Sequence, residues 1–506
     1  MNFTGGMTGL LVVGLAAVTA TPALAQDGSS DIKIVLTSPL DNVDPCNMTA
    51  GYIGGVLKQN VIETLADVQA SDSAVVPKLA TSWERTEPST WRFHLRENVK
   101  FQDGEALDAN AVVASIARVL NPAIECRDRF KFFTNIKITT KVVDKNTVDI
   151  SSEPALALLP TYLAQVGIVS PKTDMAALTK KPVGTGPYQF AEWTPTESIV
   201  LDRFDGYWGQ KPEVAKATYL FRSESALRAS MVEVGEADIA MAISQQDATD
   251  PAMDVTYLNS ETLRMRMALL PPLNDIRVRK AFNLSVDKQA FIGTILSGET
   301  KIATQMMLPS INGYSNDLKP WPYDVEQAKK LIAEAKADGV PTDKEIVLYA
   351  RIGRFANDEE LLQALVQMWL EVGLNVRLQM VESAQWLKLG SKPFASDRQA
   401  LLMAEGHDNS YGDAVFTAPF YYHSDGSKSE LSDPQLDAWI TEATDETGEE
   451  RTKLFQKINN YVAQEIVPDV MLFHMTSVMR VNPRLIYKPN LMTLGKLVLS
   501  EITFKD

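Results

Sequence analysis

The sequence predicts an α/β protein of about two to three domains. Three observations carry that expectation. Short β runs separated by turn residues dominate from Asp31 to about Phe204, capped helices followed by strands grow stronger later, and no Gly/Ser linker, internal repeat or low-complexity tract divides the chain. The 506 residues, 45% apolar and 22% charged, are enough for a large core and exclude a disordered or fibrous chain. Domains without a linker are expected to be joined by more than one chain crossing.

In chain order, Ile32 to Thr37, Trp91 to Leu95, Val142 to Ile150 and Ile199 to Leu201 read as strands, punctuated by Asp103-Gly104 and by Pro182 to Pro187. A helix is expected from Ala109 to Leu120, ending before Asn121-Pro122. The uncharged stretch Pro154 to Pro171 contains three prolines with Thr161 and Gln165. It cannot span a membrane as a helix and reads as buried strand and turn. Asp324 is placed to cap a helix with Gln327 at its third position, and Val325, Ala328, Leu331, Ile332 and Ala335 repeat as its apolar face before Gly339 and Pro341 stop it. Asn357 and Glu360 repeat the arrangement, with Leu361, Leu362, Leu365, Met368, Trp369 and Val372 on the face and Gly373 as the stop. Asn375 to Val381 then alternates as a strand.

Residues 1–25 carry no charged side chain, hold an apolar run from Leu10 to Ala20, and end in Ala23-Leu24-Ala25 before the polar Gln26 to Ser30. That pattern is a secretory signal cleaved after Ala25, although its first residues supply no Lys or Arg. A soluble, exported, periplasmic protein is expected. Asp and Glu outnumber Lys and Arg, 64 to 49, for a net charge of −15, which disfavours nucleic acid as a partner. Cys46 and Cys126 are the only cysteines, and neither lies at the cleavage site. The four histidines, His94, His407, His423 and His474, form no zinc spacing, and there is no GxSxG elbow or Walker-type loop. No catalytic residue, metal or cofactor is expected. Gly184-Thr185-Gly186-Pro187 runs into a strand rather than a helix, so it reads as a tight turn and not a nucleotide cradle.

Pro77-Lys78-Leu79-Ala80-Thr81-Ser82-Trp83, followed by Trp91 to Gly104 with Leu95-Arg96, Val99-Lys100-Phe101 and Asp103-Gly104, resembles a signature of the family 5 solute-binding proteins of peptide- and nickel-type ABC importers. Val43-Asp44-Pro45, Pro182 to Tyr188, Tyr207-Trp208, Gly235 to Asp238 and Asp275 to Phe282 with Val286-Asp287-Lys288 match that family in the same order. The resemblance implies a bilobal, Venus-flytrap α/β fold with an extra N-terminal subdomain and a ligand cleft between the lobes. It places lobe I at 26–268 plus 484–506, the extra subdomain at about 63–187, and lobe II at 269–483. Lodged in the first lobe of an exported protein, Cys46 and Cys126 are expected to form a disulfide.

In dipeptide-binding members, an acidic residue in a glycine- and aspartate-rich segment takes the ligand's amino group and an arginine takes its carboxylate. Gly406 to Ala414 is similar at Asp408, Asn409, Gly412 and Asp413, but has Ala414 where the pattern has Pro. The resemblance therefore implies Asp408 as the ligand's acidic partner, Arg351 or Arg354 as the basic one, and His407, Asn409 and Tyr411 as neighbours in the cleft. The expected protein is a monomeric, non-enzymatic binding protein that delivers a peptide-like or other polar, amine-bearing small molecule to the membrane permease of an ABC importer. Opine-like conjugates and oligosaccharides also suit the site, and the alternative class is an exported hydrolase using cleft carboxylates.

Overall fold

The computed structural model describes residues 1–2, 30–49, 51–69, 71–352, 354–355, 357–489 and 497–505. The apolar run and the Ala25 cleavage site of the expected leader lie outside the described residues. Among those residues no helix is long and apolar enough to cross a membrane.

The strands that matter are β1 (Asp31–Leu36), β2 (Ala80–Glu87), β3 (Thr90–Leu95), β4 (Lys137–Asp144), β5 (Thr147–Glu153), β6 (Tyr188–Thr194), β7 (Ser198–Arg203), β8 (Lys216–Phe221), β9 (Ile239–Ile243), β10 (Asp254–Met267), β11 (Ile346–Arg351), β12 (Val376–Val381), β13 (Leu401–Asp408) and β14 (Asp469–Val481). The helices are α1 (Ala109–Leu120), α2 (Arg127–Phe132), α3 (Val325–Ala337) and α4 (Asp358–Glu371). One mixed sheet runs β12-β11-β13-β10-β14-β9-β1-β8-β7-β6, with the short strand Lys301–Ile302 beside β14. Parallel pairs flank its centre, β1 with β8 and β9 on one side and β11 with β12 and β13 on the other, and the antiparallel β7 and β6 close the first side. The long strands β10 and β14 pair antiparallel in its middle. A separate antiparallel sheet has the order β2-β3-β5-β4.

Three large cores follow from this order. Ile32, Ile34, Tyr188, Leu201 and Tyr219 define the first, Phe93, Phe101, Val112, Phe132 and Ile150 the second, and Leu348, Leu361, Leu365, Trp369 and Phe473 the third. Along β10, Val255 and Tyr257 pack on the first core whereas Leu263, Met265 and Met267 belong to the third, and the pairing register shifts between Leu258 and Thr262. Along β14, Phe473 belongs to the third and Met479 to the first. The chain thus changes core inside both strands. Asp254 and Arg480 pin one end of the crossing with hydrogen bonds of 2.7 and 2.8 Å.

Local chemistry explains the helix starts. Asp108 Oδ1 accepts from Ala111 N at 2.9 Å to begin α1, and Asp324 Oδ1 accepts from Gln327 N at 2.9 Å to begin α3. Ala328, Ile332 and Ala335 form the buried face of α3. The start of α4 differs from the expected box. Asn357 takes φ +62° and its side chain caps nothing, while the Asp358 carboxylate accepts from Arg354 N at 2.8 Å and so draws the preceding loop against the helix. Val142 to Ile150 is a hairpin rather than one strand, because Asp144 Oδ1 accepts from Asn146 N at 2.8 Å and turns the chain. Pro154 to Pro171 contains a short helix, Leu159–Leu163, instead of a strand, since Pro160 is tolerated in a helix's first turn.

Candidate functional site

Strand β13 begins with the buried run Leu401-Leu402-Met403-Ala404 and then alternates, so Glu405 and His407 face one side of the sheet and Gly406 and Asp408 the other. Asp408 ends the strand opposite Glu261 of β10. Its Oδ1 accepts from Ser410 N at 2.8 Å and from Ser260 Oγ at 3.1 Å, closing an Asx turn. Asn409, only 4% exposed, anchors the turn beneath it, its Nδ2 donating to Ser260 O and Met306 O at 3.1 Å each. Gly412 completes the loop at φ +73°, a left-handed conformation that favours glycine.

That loop presents Asp408, Ser410 and Tyr411 to a cavity of about 560 Å³ that is open to solvent. The facing wall comes from the first part of the chain and includes Thr49, Lys58, Asp67 and Gln165. Lys58 Nζ donates to Gln165 Oε1 at 2.9 Å. Tyr411 joins the two walls. Its ring packs on Phe132 at 5.5 Å between centroids, Lys131 Nζ lies 3.6 Å above the ring, and Lys131 also donates to its hydroxyl. Phe416 adds contacts of 5.4 Å to Phe132 and 5.1 Å to Tyr162, so an aromatic cluster ties the loop after β13 to the small-sheet unit. Burial, and the Asp408 charge behind it, hold the Tyr411 hydroxyl well above its ordinary pKa and keep it neutral.

Of the six residues expected in the cleft, Asp408 and Tyr411 line this cavity and the others do not. His407 points to the opposite side. Its Nε2 is hydrogen-bonded to Thr417 Oγ1 at 2.8 Å and its ring meets Tyr421 edge-on at 5.3 Å. Burial, aided by Arg264, lowers its pKa to about 3, which leaves a neutral imidazole serving the core. Asn409 likewise spends its amide inside the protein. Arg354 Nη2 pairs with Glu261 Oε1 at 3.0 Å, and its guanidinium lies over Gly406, where an added Cβ would come within 1.7 Å of Nη2. Arg351 makes no ion pair among the described residues, and burial with the neighbouring Arg354 lowers its pKa. Among the described residues that line the cavity the cation is Lys58, which no motif marked.

The sulfurs of Cys46 and Cys126 are bonded, joining the turn Pro45–Asn47 to the N-cap of α2. This sets Thr49, in the cavity wall, against Asp128 of α2: Thr49 Oγ1 donates to Asp128 Oδ1 at 2.5 Å. Asp128 is fully buried with Oδ2 unpartnered, and burial pushes its pKa up to about 7.

Most residues of the sequence signature serve the fold. One buried carboxylate, Glu63, gathers them: it accepts from Thr185 Oγ1 at 2.9 Å, Tyr207 OH at 3.0 Å and Trp208 Nε1 at 2.8 Å, and pairs with Lys78 at 3.3 Å. Gly184 and Gly186 let the turn approach residues 60–61, where added Cβ atoms would lie 2.1 Å from Val61 O and 2.5 Å from Asn60 O. Asp44 pairs with Arg118 through contacts of 3.0 and 2.6 Å.

The same architecture recurs in solved structures. NikA from Brucella suis in complex with Fe(III)-EDTA superposes with a TM-score of 0.80 at 24% identity, covering 94% of this chain and 100% of that one. The periplasmic binding protein DppA from Helicobacter pylori in complex with peptide STSA gives 0.75 at 20% identity, over 94% and 98% of the two chains. The fold is that of a bilobal binding protein. Residues 74–429 match the family model of bacterial extracellular solute-binding proteins, family 5 Middle, and the chain belongs to that family. The glutathione-binding protein GsiB of Salmonella paratyphi A is 29% identical over 394 residues, 74% of each chain.

Proposed function

We propose that this chain, exported and cleaved after Ala25, captures a peptide-like or other polar, amine-bearing small molecule between its lobes and hands it to the permease of an ABC importer without chemical turnover. The observation that carries the reading is Asp408. It ends β13 at the cavity, its Oδ1 accepting from Ser410 N and Ser260 Oγ and its charge bordering the Tyr411 hydroxyl, and this carboxylate would pair with a ligand's ammonium group. Lys58 would meet a ligand carboxylate from the opposite wall, the role that sequence reasoning gave to Arg351 or Arg354. Thr49, Gln165 and Tyr411 add hydrogen-bonding groups between the two charges. Support also comes from the ligands of similar proteins, glutathione for GsiB and a peptide for DppA, both of which carry an amino group and a carboxylate. We place the lobe boundaries within β10 and β14, where the chain changes core, rather than at 268/269 and 483/484.

Native mass spectrometry of the protein purified from the periplasm tests the reading. A single amine-bearing small molecule should leave the cavity on denaturation and, when added back, raise the melting temperature with no product formed. Recovery of a converted product would favour the hydrolase class instead.

A further inference from the structure

A second cavity shares no lining residue with that of Asp408. It holds about 660 Å³ of space open to solvent, and its walls include Lys288, Ala303, Leu318, Trp321, Ala463 and Met471. A smaller cavity of about 320 Å³ adjoins it and shares Thr304, Trp321, Ala463 and Met471.

Lys288 is the unusual member. It is 4% exposed, lines the cavity, and its amine makes no hydrogen bond or ion pair with any described residue. Backbone structure holds it there: it opens the turn Lys288–Phe291, which Asp287 caps through Ala290 N at 3.2 Å, and Phe291 behind it is buried against Phe473 at 5.9 Å. Asp287 is thus committed to the cap, and Asp317 stands exposed in the cavity wall beyond ion-pair distance of the amine. Burial alone lowers the Lys288 pKa to about 8. The stem of Lys288 is buried while its unpartnered ammonium borders the open cavity, so a bound anion would gain a charged partner in a partly desolvated setting. The remaining walls are mostly apolar and include Trp321, Met471 and Ala463, the last in the π-helical turn Val462–Ile466. Turns of that kind recur at functional sites.

We propose that this cavity is a second ligand site, taking a small apolar monocarboxylate whose carboxylate pairs with Lys288 and whose hydrocarbon body lies against Trp321 and Met471. It stands apart from the reading of the Asp408 cavity.

Ligand-observed NMR titration of the full chain tests it, with sodium benzoate as the probe and benzyl alcohol as its uncharged counterpart. Benzoate is expected to saturate, to bind more tightly than the alcohol, and to weaken by ~10-fold or more in Lys288→Met. Ala463→Leu, which fills the cavity but keeps the amine, should weaken it as well and serves if Lys288→Met does not fold. Lys329→Met, which removes an exposed lysine of α3, should leave the titration unchanged. Non-saturable benzoate, equal binding of the alcohol, or benzoate affinity unmoved by both cavity variants would overturn the proposal.

Discussion

Asp128 and Glu63 are both fully buried carboxylates, and their surroundings give them different chemistry. Glu63 is surrounded by donors, while Asp128 has one oxygen bonded to Thr49 and the other without a partner. With its folded pKa near 7 against a reference of 3.8, Asp128 binds its proton more tightly in the native protein. Its stabilising contribution is complete below pH 3.8 and is lost as the pH rises through 7. Asp128→Asn should therefore gain stability relative to the parent as pH rises across that window, by about 1.4 kcal/mol per unit, and the difference should level off above it. Urea unfolding at pH 5 and pH 8 checks this; a pH-independent difference would show that the carboxyl is already ionised. Neither role was legible in the sequence. The signature Lys78, Thr185, Tyr207 and Trp208 stood out as motifs, but Glu63, which joins them, carries no local pattern. Lys58 was missed for the same reason, since a cavity wall assembled from residues 48 to 165 has no periodicity to betray it.

At the scale of elements, local rules read well wherever local forces decide. The cap of α3, the span of α1 and the strand at Val376–Val381 follow from side chains within a few residues of each other. At α4 a longer-range demand prevails, because Asp358 serves Arg354 while Arg354 serves Glu261 across the sheet. The β13 segment shows the same limit. Resemblance marked Asp408 through Gly412, yet only strand alternation together with the β10 register separates Asp408, in the cavity, from His407, in the core. On the core side Glu405 bridges Arg264 at 2.7 Å and Arg266 at 3.1 Å, and Arg264 also pairs with Asp469 of β14. Burial opposes ionisation of Glu405, but Arg266, Lys428 and Arg264 outweigh it and hold the carboxyl down at about 2. Glu405→Gln would leave buried guanidinium groups undercompensated between strands β10 and β13. A loss of about 3 to 5 kcal/mol in unfolding free energy is expected, read by denaturant unfolding at pH 7. A change below about 1 kcal/mol would mean that the network adds little net stability.

Across the whole molecule, the disulfide braces one wall of the cavity and the aromatic cluster ties that wall to the loop after β13. Cys46 and Cys126 are 80 residues apart, for which the chain-entropy model gives roughly 4 to 5 kcal/mol of stabilisation. The double variant Cys46→Ser, Cys126→Ser should lose stability of that order, and thiol titration of the denatured, unreduced parent should find no free thiol; two titratable thiols would refute the bond. Because Tyr411 and Phe416 on one wall meet Phe132 and Tyr162 on the other, ligand binding should favour the state in which the walls touch. Small-angle scattering should then record a smaller radius of gyration with the recovered ligand than without it, and no change at saturation would argue for rigid lobes. The most direct test is titration calorimetry of that ligand against the parent protein and Asp408→Asn, which keeps the side chain's size and removes its charge. The expected loss is about 2 to 4 kcal/mol, roughly 30- to 1,000-fold in dissociation constant. Binding within about threefold of the parent by a folded Asp408→Asn would contradict the account and leave the ligand held by other groups.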